Sequence, residues 1–321
     1  MTNGIWLLAD DRAGNVNQLL GVAEQLGLPF EQKKIVYSGW AALPNWLQGA
    51  SLIGVTPQTK EQLKPPYPRL VIGAGRRVFP IARFIKKMSG GETKIVQLMN
   101  PGAAGFKEAD LVVIPMHDDY KGTAENVMRT LGAPHRVTKE KLAQEQEKWR
   151  ETFQKYPEPR LSVIVGGATK RAPFTVEMAQ NLAAHVLALN PGSILVTTSR
   201  RTPADVVQVL KNAFPKETTY FYQFGDSGEN PYFGLLAWGG QIVVTGDSMS
   251  MCSESCASGV PVYIFAPDGT MGKKHMRFHE QLYRSGYATA LGSGQIAFGG
   301  SLNAAEDVAQ KVKSILGIND A

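Results

Sequence analysis

The chain has 321 residues, of which 43% are apolar and 19% are charged, so it can bury sizeable cores and is not intrinsically disordered. Lys and Arg outnumber Asp and Glu by 34 to 28, and this net charge of +6 suits an anionic ligand or membrane surface better than nucleic acid. Two cysteines do not complete a zinc site, and no apolar run reaches the ~20 residues of a membrane span, so we expect a cytoplasmic protein without a metal site.

Short apolar runs alternate with helical periodicity from the N-terminus onward. Gly4–Ala9 predicts a buried strand, a polar turn follows it, and Asn15–Leu26 predicts a helix that ends at Gly27. Further strands are predicted at Lys33–Tyr37, Leu70–Ile72, Lys94–Leu98 and Leu111–Ile114, with a helix over Phe79–Met88.

Polar residues follow several of these strands, at the edge where open α/β sheets bind ligands. Gly75, Arg76 and Arg77 follow one strand, and a Gly-x-Gly turn with two arginines predicts an anion cradle. Group transfer needs a carboxylate or a histidine as general base. Asp11 after the first strand is our first candidate for that base, and His117 is the second.

The segment Ser38–Gly54 departs from this rhythm. Trp40 and Trp46 lie among apolar residues that are broken by a proline and a glycine. Such a segment can form a surface that touches lipid, or it can fold onto the core as a loop or short helix. The sequence leaves both interpretations open.

A charged, helix-prone segment over Lys139–Lys155 precedes a proline-marked linker, which predicts a domain boundary. We assign residues 1–156 to an N-terminal domain and 157–300 to a C-terminal domain. Residues 301–321 contain a last helix that can pack back on the N-terminal domain.

The C-terminal domain repeats the alternation. Strands are predicted at Leu161–Val165, Ser193–Thr197, Tyr220–Phe224, Ile242–Thr245 and Val260–Phe265. Helices are predicted at Thr175–Leu189, Pro203–Ala213 (with Thr202 as N-cap), Asn230–Trp238, Lys273–Ser285 and Ala304–Leu316. The pattern predicts an α/β fold of two Rossmann-like, doubly wound domains facing across a cleft.

Three strand-end loops of the second domain are suited to an anion: Gly166–Arg171, Ser199–Arg201 and Gly246–Glu254. Small residues, among them Gly167, Gly246, Asp247 and Ser248, let a phosphate approach the backbone. Four cations can neutralise it: Lys170, Arg171, Arg200 and Arg201. A nucleotide diphosphate with its ribose held by Glu254 fits this pattern, and so does an ordinary capped crossover in which Glu254 is solvated.

Five motifs together resemble the mitochondrial-fission ELM family and, more broadly, glycosyltransferases of the B type (GT-B). They are D-D-R-A-G-N-x-x-Q, G-A-G-R-R, T-S-R-R-T-P, N-P-Y and T-G-D-S-M-S-M-x-S-E, which begin at residues 10, 73, 198, 230 and 245. The resemblance covers nearly the whole chain. It implies glycosyltransferase activity in bacterial members and a role in mitochondrial division in the plant member.

By this resemblance, Ser248 and Ser250 would contact phosphate, Glu254 would hold the ribose, and Asn230 and Tyr232 would lie beside the nucleotide. Four residues of the first-domain motifs are expected to bind the acceptor or an anion: Asn15, Gly75, Arg76 and Arg77.

The expected activity is transfer from a nucleotide-diphosphate sugar without a cofactor or metal, to an acceptor that is lipid-linked or an envelope glycan. The cytoplasmic protein could then lie peripherally on the inner face of the membrane. One alternative is a nucleotide-sugar epimerase that uses Asp10, Asp11, His117 and Asp118. Another is a membrane-surface adaptor without catalysis.

Overall fold

The computed structural model describes residues 2–102, 105–169, 172–295 and 300–318. These residues divide into two compact units, one formed by the chain up to Arg136 and from Asn303, the other by Val137–Leu302. Strands in the first unit are β1 (Thr2–Ala9), β2 (Phe30–Lys34), β3 (Pro68–Ala74), β4 (Lys94–Leu98), β5 (Leu111–Pro115) and β6 (Val127–Thr130). Its helices are α1 (Ala13–Leu26), α2 (Asn45–Gln48), α3 (Pro57–Gln62), α4 (Phe79–Met88) and, from the chain end, α12 (Ala304–Leu316).

The second unit contains the remaining elements. Its helices are α5 (Lys139–Lys148), α6 (Arg150–Phe153), α7 (Val176–Ala188), α8 (Ala204–Ala213), α9 (Tyr232–Trp238), α10 (Met249–Cys256) and α11 (Lys273–Arg284). Its strands are β7 (Arg160–Val165), β8 (Ser193–Thr198), β9 (Thr219–Tyr222), β10 (Gln241–Thr245), β11 (Val262–Phe265) and β12 (Thr289–Ala290).

Each unit is built on one six-stranded sheet whose neighbouring strands run parallel. The first sheet has the order β2-β1-β3-β4-β5-β6, and the second has the order β12-β11-β10-β7-β8-β9. Counted from β7, the second order is the 3-2-1-4-5-6 arrangement of the Rossmann fold. The predicted class of two Rossmann-like α/β domains is therefore confirmed.

Apolar side chains cover both faces of the first sheet, as a parallel sheet requires. On one face, α1 and α12 pack over residues such as Leu7, Ile72 and Val96. On the other face, α4 contributes Phe79 and Ile85 to a separate apolar cluster. In the second unit, α7 and α8 cover one face of the sheet with a third apolar cluster.

The charged segment before the linker belongs to the second unit, whereas the sequence prediction placed it in the first. The physical reason is aromatic packing near its end. Phe153 is fully buried and contacts Trp149, Tyr220 and Trp238, with ring centroids 5.0–6.2 Å apart. These contacts hold α5 and α6 against α9 and the second sheet, so the division falls at Arg136.

Element boundaries differ from the prediction mainly at the sheet edges. The second strand ends at Lys34 rather than Tyr37, because Tyr37 instead pairs antiparallel with Val55 outside the sheet. The edge strands β6 and β12 were not predicted. Both are short, and they carry few of the alternating apolar residues on which a sequence prediction depends.

Substitution of two glycines of α1 is expected to change the free energy of unfolding in opposite ways. A Cβ at Gly21 would lie 2.4 Å from the backbone oxygen of His135, whereas a Cβ at Gly14 meets nothing within 4 Å. We expect Gly21→Ala to lower the free energy of unfolding by about 1–3 kcal/mol through overpacking. The matched control Gly14→Ala should leave it unchanged or raise it by up to about 1 kcal/mol, as alanine favours the helix. Urea denaturation followed by circular dichroism measures both, and equal effects would contradict the close contact.

Candidate functional site

The three predicted anion loops lie together at one edge of the second sheet. They follow β7, β8 and β10, which are adjacent parallel strands in the order β10-β7-β8. The chain passes from β7 to β8 on one side and from β10 to β11 on the other, so the gap between β7 and β10 is the topological switch point of the sheet. Ligands of doubly wound folds bind outside the carboxyl ends of the strands at such a point.

The buried carboxylate of Asp247 joins the three loops. Its Oδ1 accepts a hydrogen bond from Thr245 Oγ1 at 2.7 Å. Its Oδ2 accepts from the backbone N–H of Gly167 at 3.1 Å and from Arg201 Nη2 at 2.8 Å. The side chain is only 4% exposed, so both oxygens serve the protein itself. Asp247 therefore positions the loops around it.

Two glycines after β7 allow this close approach. A Cβ at Gly166 would lie 2.1 Å from Asp247 Oδ1, and one at Gly167 would lie 2.1 Å from the backbone oxygen of Arg201. The N–H of Gly166 also donates to Thr245 Oγ1 at 2.7 Å. A Cβ at Gly167 would require the backbone to move, and a Cβ at Gly166 would displace the Asp247 carboxylate.

The loop after β8 separates its two arginines by role. Arg201 binds Asp247 and donates from Nη1 to the backbone oxygen of Ala168 at 3.0 Å. Arg200 is exposed and makes no hydrogen bond or ion pair with the described residues. Arg201 therefore holds the loops together, while Arg200 is available to an anion.

Thr202 is not the N-cap of the following helix, contrary to the sequence prediction. Its Oγ1 donates to the backbone oxygen of Gly166 and accepts from the N–H of Ser199 at 2.9 Å. Pro203 takes the N-cap position of α8 without a side-chain bond. The hydroxyl thus closes the loop on itself and joins it to the end of β7.

Helix α10 begins at Met249, two residues after Asp247. Ser248 is its N-cap and accepts from the N–H of Met251 at 3.4 Å. Ser250 lies in the first turn and is partly exposed. The first N–H groups of a helix have no partner within it and favour an anion, so this start presents donors beside the Asp247 loops.

Glu254 is buried one turn further along α10 and is 6% exposed. The hydroxyl of Tyr232 donates to its Oε2, and Asn230 Oδ1 in turn accepts from the N–H of Tyr232 at 3.0 Å. Burial raises the pKa of Glu254 to about 7, although the hydrogen bond from Tyr232 acts in the opposite direction. The structure thus brings together the three residues that the resemblance assigned to the nucleoside.

A cavity of about 650 Å³ adjoins these loops. It is lined by Thr169, Thr270, Met271, Gly272, Lys273, Lys274, His275 and Arg277. Except for Thr169, which lies in the predicted Gly166–Arg171 loop, the sequence prediction did not include these residues in the site. The signal was present, because a strand end at Phe265 is followed by a glycine-containing loop and a helix that begins with Lys-Lys-His.

Helix α11 also supports the loop at Gly246. His279 is buried, and its Nε2 lies 2.9 Å from the backbone oxygen of Gly246, to which a neutral ring donates. Burial lowers the pKa of His279 to about 4, so the ring is neutral at physiological pH. Burial also lowers the pKa of His275. The pair of histidines therefore packs on the Asp247 loop.

Among the described residues, no group of three or more His, Cys, Asp or Glu is arranged to hold a metal ion.

Two of the predicted nucleotide-binding residues, Lys170 and Arg171, lie outside the described residues.

The candidate residues of the first unit other than His117 gather at the ends of β1 and β3, which form the switch point of that sheet. Arg77 Nη2 lies 2.9 Å from Asp11 Oδ1 and 3.6 Å from Asp10 Oδ2. Asn15 Nδ2 donates to both oxygens of Asp10 at 3.1 and 3.2 Å. Arg77 and Asn15 thus neutralise and bind carboxylates of the protein. Asp11 remains 72% exposed.

The neighbouring residues of this cradle serve the backbone. Gly75 has a φ of +79°, a conformation that favours glycine, and turns the chain after β3. Arg76 Nη1 donates to the backbone oxygen of Leu43 at 3.1 Å. The predicted anion cradle is therefore assembled, but its two arginines already have partners within the protein.

His117 is not brought to Asp11. It follows β5, which lies three strands from β1, a separation of about 14 Å at the usual spacing of parallel strands. The residue is also 3% exposed. The two sequence candidates for a general base therefore occupy different places along the first sheet.

The fold is shared with solved structures of GT-B enzymes, which include glycosyltransferases and epimerases. UDP-GlcNAc 2-epimerase from Methanocaldococcus jannaschii matches with a TM-score of 0.58 at 10% identity, over 98% of this chain and 99% of that one. A structure of that epimerase with UDP-GlcNAc and UDP matches with a TM-score of 0.53 at 10% identity, over 98% and 99%. Os79 from O. sativa, in complex with U2F and trichothecene, has a TM-score of 0.53 at 14% identity, over 98% and 90%. The chain is thus a GT-B-type α/β protein.

Within that class the chain belongs to the mitochondrial fission ELM1 family, whose model matches residues 13–316. Uncharacterized protein RP120 of Rickettsia prowazekii (strain Madrid E) is 30% identical, over 98% of this chain and 99% of its own length. Mitochondrial fission protein ELM1 of Arabidopsis thaliana is 28% identical, over 68% of this chain. The chain matches only 56% of the length of the Arabidopsis protein.

Removal of the Asp247 carboxylate tests its role in positioning the loops. We expect Asp247→Ala to lower the free energy of unfolding by about 2–4 kcal/mol, because buried donors on Thr245 and Gly167 lose their acceptor. The matched control is Asp268→Ala, at an exposed position in the loop after β11. Chemical denaturation measures both, and equal effects would show that Asp247 does not hold the loops.

The raised pKa of Glu254 predicts a pH-dependent stability. Between its ordinary pKa of 4.5 and about 7, the folded state binds more protons than the unfolded state, so the free energy of unfolding falls as the pH rises. We expect Glu254→Gln to remove this slope and to gain about 3 kcal/mol relative to the wild type above the upper value. Denaturation curves at a series of pH values measure the difference. Parallel curves would contradict a buried, protonated carboxyl.

Proposed function

We propose that the protein is a glycosyltransferase that uses a nucleotide-diphosphate sugar as donor. The observation that carries the proposal is the meeting of three loops at the switch point of the second sheet, joined by Asp247 and followed by the buried pair of Glu254 and Tyr232. The fold adds support, since one similar structure contains UDP-GlcNAc and UDP. The proposal includes no metal, because the sequence carries no Asp-x-Asp motif.

The diphosphate would bind at the start of α10. Free N–H groups there, the Ser250 hydroxyl and the Arg200 guanidinium are donors suited to phosphate oxygens. Arg201 is less suited to direct contact, because Asp247 and Ala168 already accept its hydrogen bonds. Donors aimed at the leaving diphosphate act where negative charge develops during transfer.

The ribose would lie against Glu254. One carboxylate oxygen accepts from Tyr232, and the other accepts no hydrogen bond from the described residues. That second oxygen can accept from a ribose hydroxyl. Asn230 is exposed beside this pair and can contact the nucleoside.

The transferred sugar would occupy the cavity next to Thr169 and α11. Its volume of about 650 Å³ falls within the range of about 300–1,000 Å³ that is usual for small-molecule sites. Its lining combines the hydroxyl of Thr270 with the cations Lys273 and Arg277. This arrangement suits a hydroxyl-rich group attached to a diphosphate.

Asp11 is the proposed general base of the first unit, which would bind the acceptor. It is exposed at the sheet edge, whereas Asp10 is buried and bound by Asn15. Proton transfer from an acceptor hydroxyl requires that hydroxyl to reach Asp11 within hydrogen-bond distance.

The epimerase alternative is compatible with the fold, which this chain shares with the Methanocaldococcus enzyme. That similarity concerns the fold alone and not the activity. On this chain it needs Asp10, Asp11, His117 and Asp118 to converge. The first sheet separates Asp10 and Asp11 from His117 by three strands, and Arg77 pairs with both carboxylates. The geometry of the first unit therefore favours transfer over epimerisation.

A thermal-shift comparison with UDP, GDP, CMP and ADP tests the nucleotide site. We expect one diphosphate to raise the melting temperature, because a ligand that binds only the folded state stabilises it by mass action. Glu254→Ala should abolish this shift, and Asp11→Asn, in the other unit, should leave it unchanged. If none of the four nucleotides changes the melting temperature, both enzymatic proposals fail and a non-catalytic adaptor is favoured.

Incubation with the sugar form of the nucleotide that binds separates the two activities. An epimerase converts the donor without an acceptor, so a new anomeric proton signal appears in the NMR spectrum. A transferase does not epimerise the donor: the remaining donor keeps its configuration, and the nucleoside diphosphate is released only as the sugar is transferred to acceptor or water.

A further inference from the structure

An uncharged segment lies on the surface of the first unit. Residues 35–59 include no Asp, Glu, Lys or Arg, and Lys34 and Lys60 flank them. Val36 is 40% exposed at the start of this segment, and four large apolar side chains between Ser38 and Gly54 are also exposed: Trp40 at 60%, Trp46 at 70%, Leu47 at 54% and Ile53 at 46%. These four residues are called the tryptophan surface below.

The burial pattern of α2 is inverted. Its polar residues Asn45 and Gln48 are 6% and 5% exposed, while Trp46 and Leu47 between them face solvent. A short helix that merely folds onto the core would bury its apolar side chains and expose its amides. The structure therefore excludes the interpretation that this segment packs its tryptophans onto the core.

Buried amides fix the segment in this orientation. Asn45 Nδ2 donates to the backbone oxygens of Arg76 and Pro101 at 3.0 and 2.9 Å. Gln48 Nε2 donates to the backbone oxygen of Leu43 at 2.8 Å. Ser38 Oγ donates to the backbone oxygen of Ile53 at 3.0 Å. These hydrogen bonds tie the segment to the backbone of the first unit, so the tryptophan surface is held facing solvent.

The chemistry of the surface fits a lipid bilayer. Tryptophan prefers the interface between headgroups and acyl chains, and leucine and isoleucine prefer the acyl region. Lysines at the edge of such a patch attract anionic headgroups. Lys34 and Lys60 are both exposed, and they lie on β2 and α3, which pack against each other. The segment and its two flanking lysines therefore supply both apolar and cationic groups.

A second copy of the chain fits this surface less well. A two-fold interface would place the same patch on both sides and would bring the flanking lysines of the two copies together. Like charges at such an edge oppose association. No helix among the described residues is long and apolar enough to cross a membrane, so contact with lipid would be confined to the bilayer surface.

We propose that Trp40, Trp46, Leu47 and Ile53 dock the first unit onto the surface of an anionic lipid bilayer. The site is separate from the proposed nucleotide site, which is built from residues of the second unit, and each can fail without the other. Docking of this kind would hold the first unit next to a lipid-linked acceptor.

Sedimentation of the full-length protein with vesicles of phosphatidylcholine and phosphatidylglycerol tests the surface. We expect the wild type to bind and Trp40→Ser/Trp46→Ser to bind about tenfold or more weakly, because two interfacial anchors are lost. The matched control is Phe224→Ser, which removes a 48% exposed aromatic side chain from the second unit and should bind like the wild type. Equal melting temperatures of variants and wild type show that folding is intact.

A second variant keeps the test independent of the tryptophans. Lys34→Glu/Lys60→Glu should weaken binding to these vesicles and make it less dependent on salt. Wild-type protein that stays in the supernatant, or a double tryptophan variant that binds equally, overturns the proposal. A concentration-dependent dimer that the tryptophan variant abolishes, without vesicle binding, would identify a second copy as the occupant instead.

Discussion

Three donors converge on the buried carboxylate of Asp247, and the ligand edge of the second sheet depends on that convergence. A backbone N–H, a hydroxyl and a guanidinium reach it from the ends of β7, β10 and β8. A carboxylate that is almost fully removed from water is tolerated only when such donors replace its hydration. The same requirement fixes the loops relative to one another and leaves Arg200 and the start of α10 facing outward.

Burial divides the candidate residues into those that build the site and those that can bind a ligand. The side chains of Asp247, Arg201 and Thr202 form their hydrogen bonds with other groups of the protein. Glu254 is also buried, but only one of its oxygens accepts a hydrogen bond from the described residues, and burial raises its pKa to about 7. A partly satisfied buried carboxyl next to the switch point is what a polar ligand group can complete.

The first unit shows the same division at its own switch point, with a different balance. Arg77 and Asn15 bind the carboxylates of Asp10 and Asp11, so the positive charge of Arg77 is already paired within the protein. The segment from Ser38 to Gly54 uses polar side chains in the opposite way, since buried amides hold apolar groups outward. In both places, buried polar groups bind within the protein and hold the exposed groups that a ligand or partner can reach.

The sequence by itself determined most of the strands and helices, because apolar periodicity and turn residues act locally: β4 and α12 have the bounds that the pattern predicts. It also indicated the three loops, since each follows a strand in a recognisable pattern. Only the tertiary structure decided which of their residues are consumed by the fold, separated His117 from Asp11, and turned Trp46 outward over buried Asn45. Strand order and desolvation arise from contacts between distant parts of the chain, and no local pattern encodes them.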